Sequence, residues 1–441
     1  MTKVKKVLNI LNGCIDSLCQ NPQNYLADPR GFTRRRKLPL RTVITTLFAM
    51  QNKSLSHELL ELFDFDKSTP TASAFVQQRA KIKPEAFEHI FKSFTASADL
   101  HPRTYRGYRL FAVDGSDISI AANPGDPDSF FENNDSKSYS MLHLNAMYDL
   151  VNHTYTDAVI QKRRKENEHR AFVGMVDNAD SDVRKAIVVA DRGYESYNNM
   201  AHVQEKGWNF LFRIKNSKYG SIVSGFDFPD GEFDIELTLH LTRKQTNSVK
   251  ELCNSDPSYK YVASSSSFDY LPLKSKKSVE IKPFDLKIRI VRFKLTDDSF
   301  EVVATNLDKN DFPPFELKKL YAMRWGIETS FRDLKYTVGL VNFHAKKVEF
   351  IYQEIFARLI MYNFSELITS HVVIQQKSRK YCYKVNFSQA VQICRNFFLD
   401  RIAPPVLEAL ITRFLTPIRT GRQNKRCLVA KGVVSFTYRI A

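Results

Sequence analysis

No stretch of this chain is apolar for long enough to cross a membrane: the longest runs are broken by charge within about ten residues, against the ~20 that a spanning helix needs. The first residues, Met1 to Asn12, carry Lys3, Lys5 and Lys6 but no sustained apolar core and no small-residue cleavage site, which predicts no secretory leader. Cysteine is sparse and scattered, at positions 14, 19, 253, 382, 394 and 427. That spacing forms neither a disulfide framework nor a paired C-x2-C zinc pattern, so a soluble protein of a reducing compartment is expected. There is no GxxxxGK(S/T), no GxGxxG after a strand and no HExxH, which removes the common nucleotide-binding and zinc-protease motifs. No GxSxG elbow is present, and the ten histidines do not cluster at metal-ligand spacing. Internal repeats and long low-complexity tracts are also missing.

Acidic residues are in deficit. Lys plus Arg is 65 and Asp plus Glu is 48 over 441 residues, a formal net charge of +17. Such an excess favours a polyanionic partner over a small neutral substrate. With 43% apolar and 26% charged residues the composition is that of a folded protein, and the length predicts about three domains.

Five stretches differ in character. Residues 1–104 read as a helical domain. Val4 to Leu18 and Leu40 to Met50 have apolar residues at helical spacing, and Arg30, Arg34, Arg35, Arg36 and Lys37 lie between them. Ser54 to Phe63 and the segment opened by Pro70, through Arg79 and Lys81, are short helices around the polar turn Asp64 to Thr69. They resemble a DNA-contacting helix-turn-helix, which the Arg cluster favours over the alternative of a plain helical bundle with a solvated basic loop. Residues 105–216 alternate strands and helices. Tyr108 to Val113 is a strand, and Leu142 to Leu150 and Thr154 to Gln161 form a hairpin. A helix over Glu166 to Asn178 precedes a buried strand at Ala186 to Ala190, a helix at Ser196 to Lys206 and a strand at Trp208 to Ile214. Residues 217–298 read as a β-rich insertion, 299–372 as a further core segment that is strongly helical from 312, and 373–441 as a basic C-terminal region that could serve dimerisation. From Ile411 onward there are seven Lys/Arg and no Asp or Glu, which fits a solvated end or a DNA-tracking tail equally well.

The acids that stand out occupy different settings. Asp114 ends the run Leu110-Phe111-Ala112-Val113, and Asp191 ends Ile187-Val188-Val189-Ala190. Acids at strand carboxyl ends sit on the functional edge of an α/β sheet, although Asp-Gly is also a common turn pair. On a regular helix at about 100° per residue, Tyr321, Arg324, Glu328 and Lys335 fall within a stripe about 60° wide and roughly 21 Å long. Asp333 falls off it. One acid flanked by cations and a phenol is an unusual core face, while an Arg324–Glu328 ion pair one turn apart is the plain alternative. Two strand-end Asp and a helical Glu make three carboxylates able to hold two divalent ions, which serve the attacking and leaving oxygens of a phosphodiester. Asp117 is the rival to Asp114. Glu168 and His169 open a helix and either orient a metal-bound water or only favour the helix N-terminus. Arg192 and Tyr194 are candidates to line a DNA path.

These residues resemble the DDE-type bacterial insertion-sequence transposases of the IS-four group. The signature Tyr-x2-Arg-x3-Glu-x6-Lys is matched without a gap by Tyr321, Arg324, Glu328 and Lys335. Asp114-Gly115-Ser116 and Asp191-Arg192-Gly193-Tyr194 match the strand-end motifs. Ala304-Thr305-Asn306-Leu307, Gln353-Glu354-Ile355 with Ala357, and Tyr362-Asn363 add to the likeness, which runs from about 105 to 370. It implies an α/β, ribonuclease-H-like core interrupted by the β-rich insertion. Asp114, Asp191 and Glu328 become catalytic metal ligands for Mg²⁺, with Mn²⁺ able to substitute. Tyr321, Arg324 and Lys335 become contacts to phosphates at the element's end. The implied partners are double-stranded DNA, as transposon ends and target, and a second copy of the chain in a synaptic complex, in the bacterial cytoplasm near the nucleoid. The implied reaction is hydrolysis at the element's end followed by attack of the freed 3′-hydroxyl on a second phosphodiester. Alternatives are a catalytically silent, transposase-derived DNA-binding protein and a metal-dependent nuclease without strand transfer. One departure concerns a base-stacking Trp that some relatives carry in the insertion. The only tryptophans here are Trp208 and Trp325, which leaves Phe268 and Tyr270 as stacking candidates or as core residues.

Overall fold

The computed structural model describes residues 2–34, 37–99, 101–133, 137–215, 221–273, 282–296, 299–374 and 381–418. The chain opens with five helices: α1 (Lys3–Gln20), α2 (Leu40–Ala49), α3 (Leu55–Leu62), α4 (Ala72–Arg79) and α5 (Pro84–Ala98). Local chemistry starts them. The side chains of Thr2, Ser54 and Thr71 accept backbone N–H groups at the first turns of α1, α3 and α4, and Pro84 occupies the first turn of α5. On α1 the buried residues Val4, Val7, Leu8, Leu11, Ile15 and Leu18 repeat every three or four positions, the stripe a helix presents to a core.

The middle of the chain builds the sheet. β1 (Arg109–Ile120), the two-residue β2 (Phe130–Phe131), β3 (Tyr139–Asp149) and β4 (Thr154–Lys162) precede α6 (Glu168–Asp177). β5 (Ala186–Ala190), α7 (Tyr197–Glu205) and β6 (Asn209–Arg213) follow. Then come β7 (Phe233–Thr242), α8 (Asn247–Ser255), β8 (Tyr259–Tyr261), β9 (Phe284–Thr296) and β10 (Ser299–Thr305). The signature region forms α9 (Pro314–Met323), α10 (Trp325–Arg332) and a π-helical turn, Asp333–Val338, ahead of the long α11 (Val348–Thr369). β11 (Tyr383–Val385), α12 (Phe387–Phe398), α13 (Pro404–Arg413) and β12 (Leu415–Pro417) complete the described chain. Among the described residues, no helix is long and apolar enough to cross a membrane.

The fold is mixed α/β around one ten-stranded sheet of order β2-β3-β1-β5-β6-β10-β9-β7-β8, with β4 also paired to β3. β1, β5 and β6 run parallel; β3, β10 and β9 pair antiparallel to their neighbours. The strands of the 217–298 stretch extend this same sheet, because β9 pairs with both β10 and β7. Alternation along β5 sends Ile187 and Val189 into a core shared with the N-terminal helices, while Ala186, Val188 and Ala190 join the core under α6 and α7. Both faces are therefore covered, which is why β5 is a continuous apolar run.

The N-terminal helices share one core with α11 and α12, and buried charge pins the seam. Arg79, fully buried, donates to Glu354 Oε1 at 2.8 Å and to Gln353 Oε1 at 2.7 Å. It therefore does not belong to a DNA-facing surface of α4. Asn363 bonds the Tyr155 backbone through both its amide nitrogen and oxygen, and the hydroxyls of Tyr362 and Tyr148 meet at 3.1 Å. These Gln-Glu and Tyr-Asn motif residues thus fasten α11 to α4 and to the β3–β4 hairpin.

Candidate active site

The register of the parallel strands sets the site. Val113 is the Cα partner of Ala190 in the β1–β5 ladder, so Asp114 and Asp191 are the next residues on adjoining strands. Adjacent strands lie about 4.8 Å apart, which brings the two acids level at the end of the parallel pairing. Asp191 closes its strand and caps the short helical turn Arg192–Tyr194, its Oδ1 accepting Gly193 N–H at 2.7 Å. Asp114 does not end a strand. β1 continues to Ile120 because its other flank keeps pairing with β3 down to Ile120↔Ser140. The apolar run stops at Asp114 because parallel burial stops there.

The third acid arrives through Arg324. Its Nη2 donates to Glu328 Oε1 at 2.8 Å, and its Nη1 stands 4.0 Å from Asp114 Oδ2. Arg324 is itself nearly buried, with its guanidinium beside the rings of Tyr321 and Trp325. α10 is held against the hairpin by a 2.8 Å bond between the hydroxyls of Ser330 and Tyr155. It comes in closely because residue 326 is glycine: a Cβ there would lie 2.8 Å from Leu150 Cδ2.

Charge is concentrated at this point. Burial raises Asp114 most, the charges of Asp191 and Glu328 add to the rise, and the Gly115 N–H and Arg324 partly oppose it. The result is a carboxyl pushed up to about 6. The Tyr321 hydroxyl is buried without a hydrogen-bond partner among the described residues.

The regular helix expected across the signature does not run through. Arg324 interrupts it, with 3₁₀-type bonds from Arg324 N to Tyr321 O and from Ile327 N to Arg324 O. The π turn Asp333–Val338 then follows and contains Lys335. Its Nζ donates to the Asp117 carbonyl at 2.7 Å, and burial lowers its pKa against the pull of Asp117. Lys335 thus grips β1 three residues past Asp114. Asp333 lies instead near Tyr155 and Glu366, both of which its charge raises.

The other sequence candidates are placed as follows. Arg192 is exposed beside Asp191. Tyr194 is 2% exposed, packed against Phe172, so it lines no open surface. Arg34 is exposed, and Arg35 and Arg36 lie outside the described residues. The chain beyond residue 418, with most of the basic tail, also lies outside them. Asp117 has its carboxylate bound to His143 and Arg163. Phe268 is core, whereas Tyr270 is half-buried, its ring packed on Phe284 and its hydroxyl on His202. Trp208 is buried, whereas Trp325 is about half exposed next to Arg324. His169 bonds Asn199, and Glu168 pairs with His143, a residue whose place in an unremarkable strand gave no sequence signal.

Residues 105–364 match the model of the family described as "Transposase DDE domain". Transposase InsG for insertion sequence element IS4, from Escherichia coli (strain K12), is 21% identical over 344 residues, which cover 75% of this chain and 70% of that protein. Among solved structures, a chain of the cryo-EM structure of piggyBac transposase synaptic complex with hairpin DNA is 10% identical. The superposition covers 96% of this chain and 84% of that one at a TM-score of 0.44. The matched family segment is well over half of the chain and contains Asp114, Asp191 and Glu328. On that match, this chain belongs to the DDE-domain transposases.

Proposed function

We propose that the chain is a metal-dependent DNA transposase that cuts a phosphodiester at a transposon end and joins the freed 3′ end to target DNA. The observation that carries this reading is that Asp114 and Asp191 stand level on adjoining strands while Arg324 bonds Glu328 and stands 4.0 Å from Asp114. The donor set fits a divalent ion. All three groups are carboxylates, the hard oxygen ligands that Mg²⁺ prefers, and Mn²⁺ accepts the same set. Burial first, and then the charges of Asp191 and Glu328, pull Asp114 upward, a penalty on its ionised form that a bound cation relieves. When bound, such ions lower the pKa of water and stabilise charge on a leaving oxygen.

The chain's own residues do the rest. Arg324 fixes the Glu328 carboxylate and offsets the negative charge beside Asp114. The unpartnered Tyr321 hydroxyl is a donor suited to a phosphate oxygen. Arg192, exposed beside Asp191, supplies charge where a strand would pass. Lys335 keeps β1, and with it Asp114, in place. Arg34 to Lys37 and the acid-free residues after Ile411 add salt-sensitive affinity for DNA backbone. On this reading the parallel strands are the ribonuclease-H-like core, and two copies act on two ends.

The test is cleavage of end-containing DNA and strand transfer with Mg²⁺, comparing the wild type with Glu328→Gln and Asp191→Asn. Both activities should fall to background. A folded Glu328→Gln protein that still cuts and joins would sink the assignment. Cutting without joining in the wild type would leave a nuclease.

A further inference from the structure

A second cluster of charged groups lies one strand away from the three acids. His143 on β3 faces Asp117 across the ladder, its Nδ1 2.7 Å from Asp117 Oδ1 and 3.3 Å from Glu166 Oε2. Its Nε2 stands 2.9 Å from Glu168 Oε1. Arg163 pairs with Asp117 at 2.9 Å and also with Glu166. Ligand atoms of Asp117, His143 and Glu166 lie within 4.8 Å of one another. That trio already contains the cation of Arg163, so a metal ion there would meet a positive charge. The cluster's purpose lies in where it puts Glu168.

Glu168 is carried over the backbone next to Asp114. A Cβ on Gly115 would lie 2.7 Å from Glu168 Oε1 and would overlap the His143 ring outright, so only glycine admits this arrangement. The same Gly115 donates its N–H to Asp114 Oδ1 at 2.9 Å. An independent observation points the same way. The hydroxyl of Tyr194 is buried with no hydrogen-bond partner among the described residues, in a side chain only 2% exposed. Burial raises its pKa, and the charges of Glu168, Asp114 and Asp191 raise it further, so all three carboxylates lie within electrostatic reach of this orphan hydroxyl. A buried hydroxyl left unsatisfied is unfavourable, and a bound ion's water or a shifted carboxylate removes that penalty. An acid in the first turn of α6 is otherwise explained by the helix N-terminus, but that explanation does not require a buried histidine and a missing side chain at residue 115.

We propose that Glu168 is a fourth carboxylate of the metal centre, facing the same space as Asp114 and Asp191, and that His143 is the residue that positions it. The proposal rests on reading Asp114 and Asp191 as metal holders. His143, clamped between Asp117 and Glu168, fixes the rotamer of Glu168; Glu168 faces the ion, and Tyr194 donates to the ion's water or to a carboxylate.

The experiment measures Mn²⁺ binding to the full-length protein by calorimetry, without DNA, with circular dichroism to verify folding. Glu168→Gln, whose side chain is partly exposed, should weaken Mn²⁺ roughly 10- to 100-fold with the fold retained. His143→Gln, which keeps an N–H for Glu168, should bind Mn²⁺ more tightly than His143→Leu; equal losses in the two would reduce His143 to a structural part and overturn its assignment. Should either His143 variant fail to fold, Glu168→Gln decides. Wild-type affinity in Glu168→Gln, with affinity lost in Asp191→Asn, would overturn the proposal alone. Wild-type affinity in Asp191→Asn would overturn the underlying three-acid reading as well.

Discussion

Arg324 donates to Glu328 at 2.8 Å while standing 4.0 Å from Asp114, so one nearly buried guanidinium links the helical acid to the strand acid. Burial works against its charge, yet Tyr321, Glu328 and Asp114 hold its pKa above the usual arginine value. Replacing Arg324 by Ala removes both the tether and the balancing charge. End cleavage should then fall about 100-fold, or about 2.7 kcal/mol in the barrier, under single-turnover conditions with saturating DNA. Arg324→Lys keeps charge without the planar fork and should recover only part of the loss. A rate for Arg324→Ala within twofold of wild type would count against the tether.

Asp114 should make the benefit of divalent ions pH-dependent. Its folded pKa of about 6 lies above the ordinary 3.8, so its protonated form favours the fold. That contribution is complete below about 3.8 and is lost as pH rises through about 6. Mg²⁺ competes with the proton for the same oxygens. The rise in melting temperature on adding Mg²⁺ should therefore grow as pH increases through about 6, and should be much smaller in Asp114→Asn. An Mg²⁺ effect independent of pH between 5 and 7 would contradict this.

Gly115 is predicted to tolerate no side chain. Gly115→Ala drives a methyl into His143 and Glu168 and should cost about 1–3 kcal/mol in chemical denaturation. The cost should shrink when His143→Ala is added, because the clash partner is gone. Strict additivity in this double-mutant cycle would show that the two residues do not meet.

The seam between α4 and α11 predicts a pH window for stability. Burial alone would raise Glu354, but Arg79, His344 and Arg358 overcome it and hold the carboxyl at about 2, below its ordinary 4.5. Its contribution is therefore complete above about 4.5 and lost as pH falls towards 2. His344 is raised above 6.5 by Glu354 and Glu58 despite burial, so its contribution is complete below about 6.5 and fades as pH rises through the raised value. Together they place the seam's greatest stability between about pH 4.5 and 6.5. Glu354→Ala leaves Arg79 buried without its anion and should cost about 3–5 kcal/mol. Melting curves from pH 3 to 8 for both proteins check it, and a parallel pH dependence in the mutant would refute the assignment to Glu354.

Exposed Arg34 carries the DNA expectation for the N-terminal region. If it contacts a phosphate, Arg34→Ala should lower the slope of log affinity against log salt by about 0.9 on duplex DNA, equally for end and random sequences. Fluorescence anisotropy across a salt series measures this; an unchanged slope removes Arg34 from the interface.

Much of the local structure was legible in the sequence because short-range chemistry decides it. The apolar stripe of α1, the β3–β4 hairpin and the buried β5 follow from the spacing of apolar residues. The candidate acids could also be named, since Asp114 and Asp191 both follow apolar runs and Glu328 shares a helical face with Arg324. Tertiary structure decided the rest. Only pairing across β3 keeps Asp114 inside a strand, and only pairing of β9 with β10 joins the 217–298 strands to the main sheet. A regular wheel could not foresee the π turn at Asp333–Val338 or the reach of Lys335 to the Asp117 carbonyl, because the turn packs against α11 and α12 and its lysine meets a strand 218 residues away. Arg79 lies in a segment whose sequence resembles a helix-turn-helix, and only Glu354, 275 residues on, reveals it as a core residue. His143 carried no motif at all; its significance comes from a ladder register and a glycine opposite, which are relationships between segments rather than properties of either one.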